Sequence, residues 1–260
     1  MADLEIIFLG TGTSQGIPVI GCDCPTCKSS DPRDNRLRSA ICVRTPEYVF
    51  TIDTPPEFRI QCLRENINEL NAVVYTHSHT DHILGFDDLR RFCEMSDAKM
   101  PIYAAADTMA DLRRVFQYAF ESEVTWRNYI RPDPHVIDGA FSLGETRLIP
   151  LRLPHGRIIL NGYLMMRNEE KLVAYMTDCH SVPEEVIEQV AGVKVLVLDA
   201  LRQKEHPTHL SIPQAIEISK RIKPQSTYFI HMSHDILHEK TQASLPEGVF
   251  LSYDGLRVKV

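Results

Sequence analysis

Apolar residues along this chain come in short runs closed by turn residues, the pattern of buried strands and not of long helices. Residues 4–9 (Leu-Glu-Ile-Ile-Phe-Leu) read as a buried strand, stopped by Gly10-Thr11-Gly12-Thr13-Ser14-Gln15-Gly16. A glycine-rich turn after a strand can cradle phosphate. Gly10-x-Gly12 lacks the Lys-Ser/Thr of a P-loop and the full dinucleotide fingerprint, so a tight turn is the better reading. Residues 38–43 and 48–53 form an expected hairpin turned at Thr45-Pro46-Glu47, and residues 57–66 a short helix. The run 72–75 is a strand. Residues 83–95 read as a helix carrying Leu84, Leu89 and Phe92 inward, and 101–103 as a short strand. In 107–120, Leu112, Val115, Phe116, Ala119 and Phe120 fall at helical spacing. A polar stretch containing Trp126 (121–134) follows as a surface connection, before His135-Val136-Ile137. The second half repeats the layout, with strands at 145–152, 160–165, 172–177, 193–199 and 226–230 and a helix at 212–222. No break in composition divides the chain, so residues 1–260 are expected to form one domain.

At 260 residues and 43% apolar content the chain can bury a sizeable core. Its formal charge of −7 argues against coating nucleic acid or an anionic membrane. It leaves room for a small anionic substrate if a metal supplies local positive charge. No apolar run approaches the roughly 20 residues needed to cross a bilayer, and the acidic N-terminus has no signal-peptide pattern. Seven cysteines, three of them clustered, fit a reducing compartment and a metal-binding thiol group. A cytoplasmic protein is the expectation.

The chemistry concentrates at strand ends. After the 72–75 run comes Thr76-His77-Ser78-His79-Thr80-Asp81-His82, four candidate ligands in six residues. An extended turn aims alternate side chains at one point, so His77 and His79 can hold one ion. Asp81 and His82, at the start of the next helix, can hold a second beside it. A second cluster, Cys22-x-Cys24-x2-Cys27, suggests zinc more than a disulfide, which would leave one thiol over; a fourth ligand must come from elsewhere.

His77-x-His79-x-Asp81-His82 resembles the signature of the metallo-β-lactamase-fold hydrolases, and Leu-Gly-Thr-Gly after the first strand resembles their usual start. The resemblance implies a four-layer αββα sandwich. It also implies that His155, Asp178 and His231 complete the site: His77, His79 and His155 on one metal, Asp81, His82 and His231 on the other, and Asp178 bridging. Asp53 would support a ligand and not be one. A carboxylate between two dications offsets their repulsion, and the pair lowers the pKa of a bridging water into hydroxide range. The thiol cluster together with His231-Met232-Ser233-His234 resembles the PhnP-type phosphodiesterase branch. There Cys22, Cys24, Cys27 and His234 would hold a structural zinc, and His209 would contact the phosphate, with His206 a competitor. Asp81 and His209 are the catalytic candidates. His135 is read as structural, and His180 and His238 as surface residues.

The expected activity is metal-assisted hydrolysis of a small phosphodiester, cyclic ones included, by two divalent ions, zinc or manganese, with a third, structural zinc. A tRNA 3′-processing endonuclease shares the ligand set, but no Gly/Pro-rich arm to grip tRNA is visible, and extended nucleic acid is a poor partner for this charge. A non-hydrolytic metal or redox protein is the other class. A homodimer is left open, and no membrane partner is expected.

Overall fold

The computed structural model describes residues 4–120 and 128–260; the first half of the expected 121–134 connection, with Trp126, lies outside the described residues. Its first sheet contains β1 (Glu5–Gly10), β2 (Ala40–Arg44), β3 (Val49–Ile52), β4 (Ala72–Val74), β5 (Met100–Ala104) and β6 (Pro132–Val136). The second contains β7 (Phe141–Leu143), β8 (Thr146–His155), β9 (Ile158–Arg167), β10 (Glu170–Met176), β11 (Val195–Asp199), β12 (Ser226–Ile230) and β13 (Val249–Leu251). A last strand, β14 (Arg257–Lys259), returns to pair with β1, so the sheet orders are β14-β1-β2-β3-β4-β5-β6 and β13-β12-β11-β10-β9-β8-β7. Each sheet is part antiparallel and part parallel: β3 to β6 run parallel in the first, β10 to β13 in the second.

Period-two alternation explains the layers. In β1, Ile6 and Phe8 face the other sheet, joining Phe50, Val74, Tyr163, Tyr175 and Val197 in the central core. Ile7 and Leu9 point the other way, into a core shared with α1 (Phe58–Arg64), α3 (Leu89–Ser96) and α4 (Ala106–Val115). A third core lies between the second sheet and α6 (Glu184–Val190) and α7 (Ile212–Ile222). Three apolar interfaces separate four layers, the αββα sandwich that the resemblance implies.

Several boundaries differ from expectation. The helix expected over 83–95 is broken into α2 (Thr80–Ile83), a 3-10 turn (Phe86–Asp88) and α3. Gly85 causes the break: it packs so closely on the loop after β3 that an added Cβ would sit 2.2 Å from the Pro55 carbonyl oxygen. Leu84 therefore turns outward, 46% exposed, while Leu89 and Phe92 are buried as expected. The 107–120 helix divides at Phe116 into α4 and α5 (Gln117–Phe120), and Val115 faces solvent. His238, expected at the surface, is buried at the start of α8 (His238–Gln242), where its backbone N–H donates to Asp34 Oδ1. His135 is exposed and stacks on Tyr103, while His180 is half-buried.

A polar clasp joins the two sheets at one side. Arg167, nearly buried at the end of β9, donates from Nη1 to Glu47 Oε1 at 2.6 Å and from Nη2 to Glu47 Oε2 at 3.3 Å. Glu47 lies in the β2–β3 turn, so this forked ion pair connects one sheet to the other.

Candidate active site

The segment after β4 is positioned by both sheets. Tyr75 N–H donates to the Tyr103 carbonyl, while Asn161 N–H donates to the Thr76 carbonyl and Tyr163 O–H to that of Tyr75. From this anchored start, His77 and His79 lie in an extended turn, and His79 immediately precedes α2, which carries Asp81 and His82. His155 ends β8, Asp178 follows β10, and His231 follows β12. These are carboxyl ends of strands, where open α/β sheets place their ligands. Asp53, Asp178 and His231 all adopt left-handed backbone (φ 67°, 60° and 62°). Such non-glycine dihedrals are costly, and here they turn the chain out of each strand into the site.

The expected ligands fall into two groups. Ligand atoms of His77, His79 and His155 lie within 4.8 Å of one another, as do those of Asp81, His82, Asp178 and His231. Asp178 Oδ2 is 3.0 Å from His82 Nε2, 3.2 Å from His231 Nε2 and 3.9 Å from His77 Nε2, so it sits between the groups. A cleft of about 440 Å³ opens over them.

This donor set fits cations. His77 Nε2 and both ring nitrogens of His231 are buried without a hydrogen-bond partner among the described residues, an arrangement that is costly unless something else engages them. Asp53 Oδ2 accepts from His82 Nδ1 at 2.7 Å, and the Thr208 carbonyl accepts from His155 Nδ1 at 2.9 Å. In a neutral imidazole that leaves each Nε2 as a lone pair; for His82 it faces a carboxylate oxygen, a repulsive contact that a cation would reverse. Burial lowers His77 well below the ordinary histidine range and His155 to about 4, keeping both rings neutral, the form that binds metal. Burial would raise the carboxyl of Asp178, but positive charge on the neighbouring His231 and His82 rings, the charge that bound cations would supply in their place, holds it well below the usual range. Asp53 supports His82 as expected and also accepts from Thr76 N–H and Oγ1.

His209 is buried at the cleft wall, its ring stacked on His231 at 4.6 Å, with Nδ1 2.8 Å from Asp199 Oδ2. His206 lies at the mouth, 5.3 Å from the His209 ring, with Nδ1 engaged by Thr208. Asp199 was not singled out from sequence; its position at the end of β11, where other strands present ligands, was the available signal. Burial raises the Asp199 carboxyl well above its usual range and lowers His209. That favours an electrically neutral pair, and in either neutral arrangement His209 Nε2 carries a proton.

The thiol cluster also assembles. Cys22, Cys24 and Cys27 Sγ lie 3.2, 3.6 and 3.7 Å from His234 Nδ1. A tetrahedral zinc with ordinary Zn–S and Zn–N lengths would separate sulfur from nitrogen by about 3.6 Å. The Cys27 N–H donates to Cys24 Sγ, bringing that thiol down to about 7. All seven cysteines are free. The surrounding segment is held by more than this cluster: fully buried Arg36 pairs with Asp34 at 3.0 Å and donates from Nη1 to the Ser233 carbonyl.

A family model described as a β-lactamase superfamily domain matches residues 49–232. The crystal structure of a diphosphatase from the PhnP family is 40% identical with a TM-score of 0.91, covering 99% of this chain and 97% of that one. The octanoyltransferase of Porphyromonas gingivalis is 33% identical over 97% of this chain; the chain spans only about half (51%) of that protein's length. Zinc-bound PqqB from Methylobacterium extorquens has the same fold, with a TM-score of 0.80 at 16% identity, covering 98% of this chain and all of that one.

Proposed function

The chain belongs to the β-lactamase superfamily and, within it, to the PhnP family, and on that premise we propose that it is a metal-dependent phosphohydrolase cleaving a small phosphodiester or diphosphate. Metal-dependent hydrolysis is the coarse activity of the fold. The observation that supports the finer reading is the convergence of seven candidate ligands in two groups with Asp178 between them, beside a His209–Asp199 pair in one cleft. His77, His79 and His155 would hold one divalent ion and Asp81, His82 and His231 the other. When bound, the two ions would offset the negative charge of a phosphoryl group and make water a stronger nucleophile.

The chain's own groups do the rest. Asp53 keeps the His82 Nδ1 proton, and Thr208 that of His155, so that both rings present Nε2 to the site. Asp199 fixes the His209 ring through Nδ1, which leaves the Nε2 proton toward the cleft for a leaving alkoxide or phosphate. The 40%-identical relative is named a diphosphatase, which favours a phosphorus-centred substrate. The acyl transfer named for the Porphyromonas protein is not carried over, because that protein is about twice as long. The separate Cys22, Cys24, Cys27 and His234 cluster would be a closed, structural zinc site. No helix among the described residues is long and apolar enough to cross a membrane.

The test is side-by-side assay of bis(p-nitrophenyl) phosphate, cyclic nucleotides, a dinucleoside diphosphate and pre-tRNA with zinc and manganese exchanged. Hydrolysis of a small ester or anhydride, lost in Asp178→Ala together with at least one bound ion, is the expected result. Normal turnover in Asp178→Ala, or activity confined to pre-tRNA, would refute it.

A further inference from the structure

One group at the cleft has no place in this chemistry. Among the described residues that line it, Arg157 is the one permanent cation. It lies in the β8–β9 turn, two residues beyond His155, and is exposed; none of the hydrogen bonds or ion pairs found among the described residues uses its guanidinium.

The turn that carries Arg157 is held rigidly. Gly156 has φ 59°, in the left-handed region, and a Cβ there would stand 2.9 Å from Thr208 Cγ2. Only glycine meets both demands without strain. His155 Nδ1 binds the Thr208 carbonyl, and Thr208 in turn engages His206. The turn is therefore fastened to the loop bearing His206 and His209, and the base of the Arg157 side chain is fixed beside the first ligand group. A protein of net charge −7 repels a polyanion at long range, so a second phosphate needs a local cation to be accepted. A guanidinium suits that task, because its planar fork meets phosphate oxygens two at a time. In a diphosphate the two phosphorus atoms share an oxygen, which keeps the second phosphate next to the scissile one.

We propose that Arg157 is a specificity-determining residue that receives a second phosphate adjacent to the one attacked, so that the cleft prefers a diphosphate diester to a monophosphate diester. The proposal deepens the phosphohydrolase reading and, for its kinetic arm, rests on it.

The experiment compares wild type, Arg157→Ala and Arg157→Lys, each loaded with zinc or manganese, on diadenosine 5′,5″-diphosphate and bis(p-nitrophenyl) phosphate. The ratio of kcat/KM for the diphosphate to that for the monophosphate should fall about tenfold or more in Arg157→Ala, and less in Arg157→Lys, which keeps the charge but loses the fork. Calorimetry on the same proteins with α,β-methylene-ADP and AMP gives a readout independent of turnover. Arg157→Ala should weaken the first by about tenfold or more and the second clearly less. Parallel losses on both members of either pair, or no loss on the diphosphate, would overturn the proposal and leave Arg157 a solvated rim cation. Should the wild type hydrolyse neither diester, the phosphohydrolase reading fails, and the nucleotide-binding arm still decides the role of Arg157.

Discussion

Replacing Glu47 with Gln tests how strongly the two sheets are clasped. The Arg167 side chain is 6% exposed, and Glu47 meets it with both carboxylate oxygens, at 2.6 and 3.3 Å; Glu145, another acidic partner at 3.2 Å, is 78% exposed. Hydrogen bonding from Arg167 holds the Glu47 carboxyl down at about 2 against an ordinary 4.5. At full strength that difference corresponds to about 3 kcal/mol of stability at neutral pH. Glu47 is a third exposed, and solvent screening discounts the figure to about 1–2 kcal/mol. Gln keeps the shape and one acceptor oxygen but not the charge, so Glu47→Gln should lose about that amount. The sign with pH follows from a carboxyl depressed in the folded state: its contribution is fully present above the unfolded value and is lost as pH falls through the folded one. The gap between wild type and Glu47→Gln should therefore be largest near pH 7, and more than half of it gone by pH 3. Urea unfolding followed by circular dichroism measures it, with both proteins stripped of metal so that ligand titration is common to the pair. A gap near zero at pH 7, or one that does not shrink between pH 7 and 3, would refute the reasoning.

The remaining expectations concern the cleft and the thiols. His209→Ala should lower turnover about 10²-fold or more with metal content unchanged, and Asp199→Asn should lower kcat more than it alters KM and shift the pH–rate profile; the same loss in His206→Ala with His209→Ala near normal would move the role to His206. Cys22, Cys24 and Cys27 should resist alkylation in the metal-loaded protein until a chelator is added, and His234→Ala should make them reactive; free reaction of all three thiols in the native protein would mean no such zinc site.

What could be read from sequence was what is local or chemically unusual. Ile6 to Leu9 alternate between two cores within four residues, so the strand and its double burial were visible in the run itself. The His77 to His82 segment packs four candidate ligands into one turn, which ordinary surface sequence rarely does. What stayed hidden depends on partners far away in the chain. Asp199 looks like any polar residue ending a strand until His209 is seen on it, and Arg157 gains meaning only when Gly156 is seen pressed on Thr208. His238 carries no sequence mark of burial; its backbone N–H is taken by Asp34, 204 residues away, and its ring lies against Tyr253. The three-residue strands β7, β13 and β14 are too short for alternation to register. The division of the 83–95 helix follows from one glycine packed on a carbonyl across the layer.

The spatial arrangement also revises how the two metal regions are coupled. His234 is three residues from His231, so the sequence suggests that losing a zinc at Cys22, Cys24, Cys27 and His234 would disturb the second catalytic ion. The intervening backbone is tied independently of any metal. Met232 N–H donates to the Thr11 carbonyl, Thr13 N–H to that of Met232, and Ser233 N–H to that of Leu201. Arg36, with its charge matched by Asp34, holds the Ser233 carbonyl from the other side. The region that relies on the thiol cluster is instead the loop outside these ties, where Ile20 stands fully exposed and among the described residues few apolar side chains are buried. Each of these bonds contributes about 1 kcal/mol and none involves the thiol cluster, so the tethers at Met232 and Ser233 remain in place when zinc is lost. Loss of zinc should therefore free residues 19–28 first, with thiol exposure running ahead of any loss of activity. His231 keeps its place because its neighbours are held by the first strand's glycine-rich turn and by a buried arginine, and a zinc at the thiol cluster would secure only the loop of residues 19–28.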